Sequence, residues 1–172
     1  MKLRNNPVES PIEDVLGEWI DYNGHMNVAY YTLAFDRAID FFLEEILDIG
    51  PTFVKHANQG PYSLQANYHY LQELKQGDRF RSKILIIDAD KKKIHMFLDM
   101  INASDGEKVA TCETLLINVD LTLRKSAEYP DWAQDKIQEY KKTCEGFALP
   151  REVGKIITLK KYPLEKRRAG LE

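Results

Sequence analysis

The amino-acid sequence predicts an α+β fold: a curved antiparallel sheet of about five strands wrapped around one long buried helix, with a second helix near the C-terminus. Three observations carry this expectation. A helical period that is apolar nearly all round runs from about residue 27 to 47. Four strand-like segments follow it, and a further helical stretch comes after them. Strands grouped together beside few helices argue for α+β rather than alternating α/β.

Val28, Tyr31, Phe35, Ala38, Phe42 and Ile46 recur at steps of three and four, the period of a helix. Tyr30, Leu33, Ala34, Ile39, Phe41 and Leu43 fill most of the remaining circumference, so the helix is expected to be buried. Thr32, Asp36, Asp40 and Glu44 form one polar stripe, joined by Arg37. Gly50-Pro51 ends the region. Tyr62, Leu64, Ala66, Tyr68 and Tyr70 then alternate with polar residues, the mark of a half-buried strand. Gly77-Asp78 turns the chain into a second strand, Arg79–Ile87, with its run Ile84-Leu85-Ile86-Ile87. A polar turn at Asp88–Lys92 leads to a third strand, Ile94–Ile101. Ser104-Asp105-Gly106 is a hairpin turn into the fourth, Val109–Val119. A short strand ending near Asp21 is expected to precede the long helix. Pro130–Cys144 has helical composition and offers Trp132, Ile137 and Tyr140 as a docking face. Residues 1–145 are read as one domain, and 146–172 as a basic, weakly patterned extension with partial disorder.

The 172 residues suit one domain, and the 44% hydrophobic and 30% charged content is that of an ordinary globular protein. A net charge of −3 gives no bulk attraction to nucleic acid, so no nucleic-acid partner is expected. No apolar run is long enough to span a bilayer, and residues 1–7 do not have a secretory pattern. The two cysteines, Cys112 and Cys144, have no metal-type spacing, so neither a metal nor a disulfide framework is expected and the cytoplasm is the default location. A sheet of about five strands leaves an edge that invites pairing, so a homodimer or homotetramer is expected.

The chemistry concentrates in Asp21-Tyr22-Asn23-Gly24-His25-Met26-Asn27. Asp21, Asn23, His25 and Asn27 fall at alternate positions just before the long helix, and Gly24 permits a tight turn. A helix N-terminus offers free N–H groups to a developing negative charge. Thioester hydrolysis needs a group to activate water or attack the carbonyl carbon, and donors for the oxyanion. Asp21 can supply the first, as general base or as nucleophile. N–H groups around Val28 can supply the second. Each residue alone has a plainer reading: Asn27 as a helix cap, Asp21 as a turn residue. Their combination is what points to a site.

Asp21-x-x-Gly24-His25-x-Asn27, followed by Tyr30-Tyr31, resembles the hotdog-fold acyl-CoA thioesterases of the 4-hydroxybenzoyl-CoA thioesterase-like superfamily. In that branch the Asp of Asp-x-x-Gly is the catalytic carboxylate, and an N–H at the start of the helix polarises the carbonyl. The resemblance carries these roles to Asp21 and Val28. Asp21, Asn23, His25 and Asn27 also match the Asp-x-Asn-x-His-Val-Asn segment of plant acyl-carrier-protein thioesterases. Those pair two hotdog units in one chain, whereas this chain has room for one. Tyr68-x-Tyr70-Leu71-x-x-Leu74-x-x-Gly77-Asp78 is similar to a second signature of the superfamily. Residues 19–31 resemble most the betainyl-CoA thioesterases of bacterial carnitine degradation, which implies a small acyl-CoA substrate, coenzyme A only as part of it, and no separate cofactor. His25 and Asn27 then orient the carbonyl, water or Asp21, and Asn23 is a further candidate catalytic residue. For a quaternary ammonium substrate, Trp19, Tyr22, Tyr30 and Tyr31 are candidates for an aromatic cage, with Gly24 beside them.

Glu113 shares a strand face with Leu115, Ile117 and Val119, which makes it a candidate buried carboxylate at the substrate site. His56, His69 and His95 share no spacing. Lys91-Lys92-Lys93 and Arg124-Lys125 are candidates for the phosphates of coenzyme A, set against a plain reading as solvated turns. Two other functions fit the fold. A hotdog enoyl-CoA hydratase needs Asp-x-Asn-Pro-x-His, but Gly24 stands in the Pro position and His25 comes one residue early. A non-catalytic acyl-CoA binder would have no need of Asp21.

Overall fold

The long helical period becomes α1, Val28–Glu45, in a computed structural model that describes residues 7–159. Tyr31, Ala34, Phe35, Ala38, Phe42 and Leu43 are buried along it. They pack onto a single antiparallel sheet whose long strands are β3 (Gln59–Tyr70), β4 (Arg79–Ala89), β5 (Lys93–Asn102) and β6 (Lys108–Asp120). Two-residue strands β1 (Val8–Glu9) and β2 (Glu13–Asp14) pair with β4, and β7 (Lys125–Ser126) pairs with β6. The spatial order β1-β4-β5-β6-β3 puts β3, second of the long elements in sequence, at the far edge. All pairings are antiparallel. Phe35 and Phe42 on the helix meet a floor that includes Ile84, Ile94, Met96 and Leu98, all fully buried.

The hotdog architecture expected from the sequence is present, with four local corrections. The strand expected to end near Asp21 is broken into β1, β2 and a 3-10 turn at Gly17–Trp19, leaving only an isolated bridge between Ile20 and Met26. Gly50-Pro51 does not merely end the helical region, because Pro51 opens a short helix α2, Pro51–Ala57. A proline suits that first turn, where its missing N–H has no partner to lose. Helix α1 is not buried all round: Val28, Thr32, Leu33, Asp36 and Asp40 are exposed in the single chain. The alternating row of β3 is also largely uncovered, with Tyr62, Leu64 and Tyr70 exposed, because β3 is an edge strand. A register shift between Ser63 and Gln65 bulges this edge.

α3, Asp131–Cys144, starts one residue later than expected, with Pro130 before it. Its Ile137 and Tyr140 are buried, while Trp132 stays half-exposed against the edge of Phe53. The Tyr140 ring meets Phe42 of α1, and its hydroxyl donates to Ile84 O at 2.8 Å and accepts the Val8 N–H at 2.9 Å. Burial pushes that phenol far up, so it stays protonated as the donor. Beyond α3 the chain crosses the other face of the sheet. The Lys83 ammonium lies over the Phe147 ring, the Gly154 N–H donates to Glu113, and Asn67 Nδ2 donates to Lys155 O. The basic N-terminal residues and the extension beyond Leu159, where partial disorder is expected, lie outside the described residues.

Candidate active site

The loop before α1 is closed by its own backbone. Asp21 N–H donates to His25 O at 3.1 Å, and Gly24 N–H donates to Asp21 O at 2.9 Å. Gly24 has φ of +81°, which a residue with a Cβ enters only at a cost. Met26 is buried, and its N–H donates to Leu74 O at 2.8 Å, while Asn27 N–H donates to Trp19 O at 2.9 Å. These bonds tie the loop to the β3–β4 connection and set where α1 begins. Tyr31 completes the tie from below: its hydroxyl accepts the Leu74 N–H at 3.1 Å and donates to Gln72 O at 3.4 Å.

Asp21 is half-buried at the mouth of this loop. Its Oδ1 accepts the Asn23 N–H at 2.8 Å, and its Oδ2 accepts from Asn27 Nδ2 at 3.2 Å. Asn27 works in two directions. Its Oδ1 caps the helix by accepting the Ala29 N–H at 3.0 Å, while its amide steadies Asp21. The Tyr30 N–H is taken by Asn27 O at 3.0 Å. The Val28 N–H has no acceptor among the described residues and faces solvent at the positive end of α1. A carboxylate and an open helix N–H therefore stand on one short segment. His25 is half-buried with Nδ1 3.3 Å from Met26 O, and the nearby Glu73 carboxyl is held low by its hydrogen bond and ion pair with Lys75, with a smaller contribution from His25. Asn23 and Gly24 are exposed at the loop tip.

The four aromatic residues do not form a cage. Trp19 is 3% exposed and Tyr31 4%, so neither offers a free face, while Tyr22 is 96% exposed and stands apart. Tyr30 stacks on Trp19 at 5.3 Å with an interplanar angle of 12°, and Arg37 lies 5.6 Å from the Trp19 ring centroid. The cation for this aromatic pair is the chain's own arginine. Tyr31 instead meets Tyr70 edge-on at 5.3 Å, and burial raises its phenol.

Glu113 also falls elsewhere. The side of β6 toward α1 carries Cys112, Thr114 and Leu116, whereas Glu113, Leu115 and Ile117 point to the opposite face of the sheet. The apolar neighbours that made Glu113 a candidate are half-buried on that face, and Leu115 lines a gap under the C-terminal crossing. There His95 Nε2 lies 2.8 Å from Glu113 Oε1. Lys91–Lys93 and Arg124-Lys125 sit at the end of the sheet opposite Asp21, some ten residues along β5 and β6, or roughly 30 Å. Within one protomer they are out of reach of a nucleotide whose thioester lies at Asp21. No group of three or more His, Cys, Asp or Glu side chains able to hold a metal occurs among the described residues.

The sequence reading missed one feature beside this loop. Thr32, Asp36 and Asp40 follow Val28 at steps of four along α1, and a cavity opens between these three and β3 and β6. The polar stripe was visible in the sequence, but not that it faces a gap.

Residues 15–137 match the family model of the thioesterase-like superfamily. The betainyl-CoA thioesterase of Pseudomonas aeruginosa is 26% identical over 145 residues, covering 84% of this chain and 91% of that protein. An L-carnitine dehydrogenase/betainyl-CoA thioesterase of Rhizobium meliloti is 29% identical over 120 residues, covering 70% of this chain but only 24% of that longer protein. Among solved structures, a Staphylococcus aureus protein in complex with CoA superposes with a TM-score of 0.82 at 26% identity, covering 87% of this chain and 94% of that one. A 1,4-dihydroxy-2-naphthoyl-CoA thioesterase from Synechocystis shares the fold with a TM-score of 0.67 at 16% identity, covering 75% and 94%.

Proposed function

Since the chain belongs to the thioesterase-like superfamily and is a thioester hydrolase acting on acyl-CoA, we propose that Asp21 and the Val28 N–H are its reacting pair. The observation that carries this is the Asp21 carboxylate held at 3.2 Å by Asn27, the residue before an N–H that has no acceptor among the described residues. The carbonyl oxygen binds at that N–H, where the helix dipole favours the negative charge that grows on it. The Asp21 carboxylate then acts on the carbonyl carbon, by taking a proton from water or by direct attack. Asn27 and the Asn23 N–H hold it in place for either route. The thiolate of coenzyme A leaves, and the chemistry calls for no metal or redox group.

Betainyl-CoA, the substrate named for the relatives, is the first acyl group to try. The uncovered β3 edge, twelve residues long with Tyr62, Leu64 and Tyr70 exposed, supports pairing with a second copy in a homodimer, on which a homotetramer would build. Such pairing also bears on the nucleotide, because an antiparallel β3–β3 contact brings the partner's opposite sheet end toward Asp21. Among the described residues no helix is long and apolar enough to cross a membrane, and the two cysteines are free and buried, which suits the reducing cytoplasm as the proposed location.

The test is release of free thiol from a panel of acyl-CoAs by wild type and Asp21→Asn. Turnover of one thioester by wild type, with a loss of about 10²–10⁴-fold in the variant, is the expected result. A fully active Asp21→Asn protein would remove Asp21 from the mechanism.

A further inference from the structure

The strap that follows α3 runs over the outer face of the sheet from one side to the other. It passes β4, where Phe147 lies under the Lys83 ammonium, then β6, where the Gly154 N–H donates to Glu113, and reaches β3, where Lys155 O accepts from Asn67. β3 is the free edge, so the chain arrives there with Ile156-Ile157-Thr158-Leu159. Ile157 is 99% exposed, Leu159 is fully so, and Ile156 is half-exposed. Exposed apolar residues scattered singly are ordinary, but a cluster of branched ones at an uncovered sheet edge marks a contact surface. A second feature adjoins it. A cavity of about 290 Å³ lies between the strap and the sheet, bordered by Gln65, Asn67, Glu113, Leu115 and Ile156. Glu113 and Asn67 on its wall already have partners, in His95, Gly154 and Lys155 O. Leu115 and Ile156 offer it an apolar lining that other apolar side chains can fill.

We propose that Ile157 and Leu159 form a docking arm that crosses the β3 edge and packs into the cavity beside Leu115 of a second copy, while that copy returns the same contact. This rests on the reading of β3 as the edge where two copies pair. An antiparallel pair centred on the twelve-residue β3 has its two-fold axis near Leu64-Gln65. Asn67 lies two to three residues along the strand from that axis, or roughly 7–10 Å. Residues 156–159 span up to roughly 13 Å when extended, enough to carry Ile157 and Leu159 from Asn67 past the axis. Arm and cavity lie side by side on one face of one edge, so a two-fold through that edge brings each onto its counterpart in the other copy. Each copy gives two apolar side chains and receives two, and the contact closes without leaving a free arm to recruit a third chain.

The test follows the full chain by sedimentation velocity over a dilution series, where wild type should be a dimer. Ile157→Ser/Leu159→Ser should raise the dimer dissociation constant by at least about tenfold, since symmetry counts each loss twice. Both positions are exposed within one chain, so circular dichroism should show the fold of this variant intact. Leu149→Ser makes the same kind of change on the part of the strap that lies over β4, and should move the constant by less than about threefold. Under mild oxidation, Leu115→Cys/Ile157→Cys should give more disulfide-linked dimer than either cysteine substitution alone. A wild type that stays monomeric at every concentration overturns the dimer reading and the arm with it. A dimer whose dissociation constant ignores the double serine substitution, or answers equally to Leu149→Ser, overturns the arm alone. So does a cysteine pair that closes within one chain or gives no excess of linked dimer.

Discussion

Asp21 and Glu113 are two carboxylates held in nearly the same way, and only one of them shares a short segment with an open helix N–H. Each accepts a backbone N–H, from Asn23 or Gly154 at 2.8 Å, and each meets one polar side chain, Asn27 or His95. Asp21 lies half-buried on the same short segment as the Val28 N–H, which has no acceptor among the described residues. Glu113 sits under the C-terminal crossing, where its oxygens are spent on His95 and on fastening Gly154. In the proposed mechanism a well-bonded acid is not by itself a reactive one. What separates them is a free donor next to the acid, where the charge of a transition state can settle.

The largest expected effect comes from exchanging the two acids for their amides in parallel. Asp21→Asn should lower kcat/KM by about 10²–10⁴-fold, and Glu113→Gln by less than about threefold, in a thiol-release assay. Comparable losses in both would erase the distinction drawn between them. Asn27→Ala removes both the cap and the hold on Asp21. It should lower kcat by about ten- to a hundredfold and stability by about 0.5–2 kcal/mol in denaturant titration. Tyr31→Phe leaves the fully buried Leu74 N–H without its acceptor, which should cost about 1–3 kcal/mol. Because Leu74 O anchors Met26, kcat should fall with it; unchanged kcat would mean that the loop keeps its position without this tie. Asn67→Ala, on the Glu113 side, should make the least difference. About 0.5–1.5 kcal/mol of the strap's hold would go, seen as faster proteolysis near Lys155 with turnover intact.

Much of the fold was legible because its signals are local. The helical period from Val28, the alternation and turns of the four long strands, and Gly24 before the helix each depend on near neighbours. Misreadings fell where a distant segment decides. The row Tyr62-Leu64-Ala66 reads as half-buried, yet β3 lands at the sheet edge, an outcome set by strand order. Glu113 reads as a buried functional acid because its neighbours are apolar, but which face of β6 meets α1 depends on the register with β3 and β5. Trp19 and Tyr31 read as cage walls and turn out to be packed inside, one under Tyr30 and the other against Tyr70.

By itself, the sequence determined the fold class, the place of the segment proposed to react, and the residue types within it. A helix start, a left-handed glycine and an acid six residues before the cap are short-range facts, written in the order of the chain. Only the tertiary structure decided that Asn27 reaches back to Asp21, that Leu74 and Tyr31 pin the loop, and that the Asp36–Asp40 stripe borders a cavity while Glu113 lies on the far side of the sheet. Those outcomes depend on which strands become neighbours and which faces meet the helix. Packing and hydrogen bonding settle them across tens of residues, beyond the reach of any local pattern.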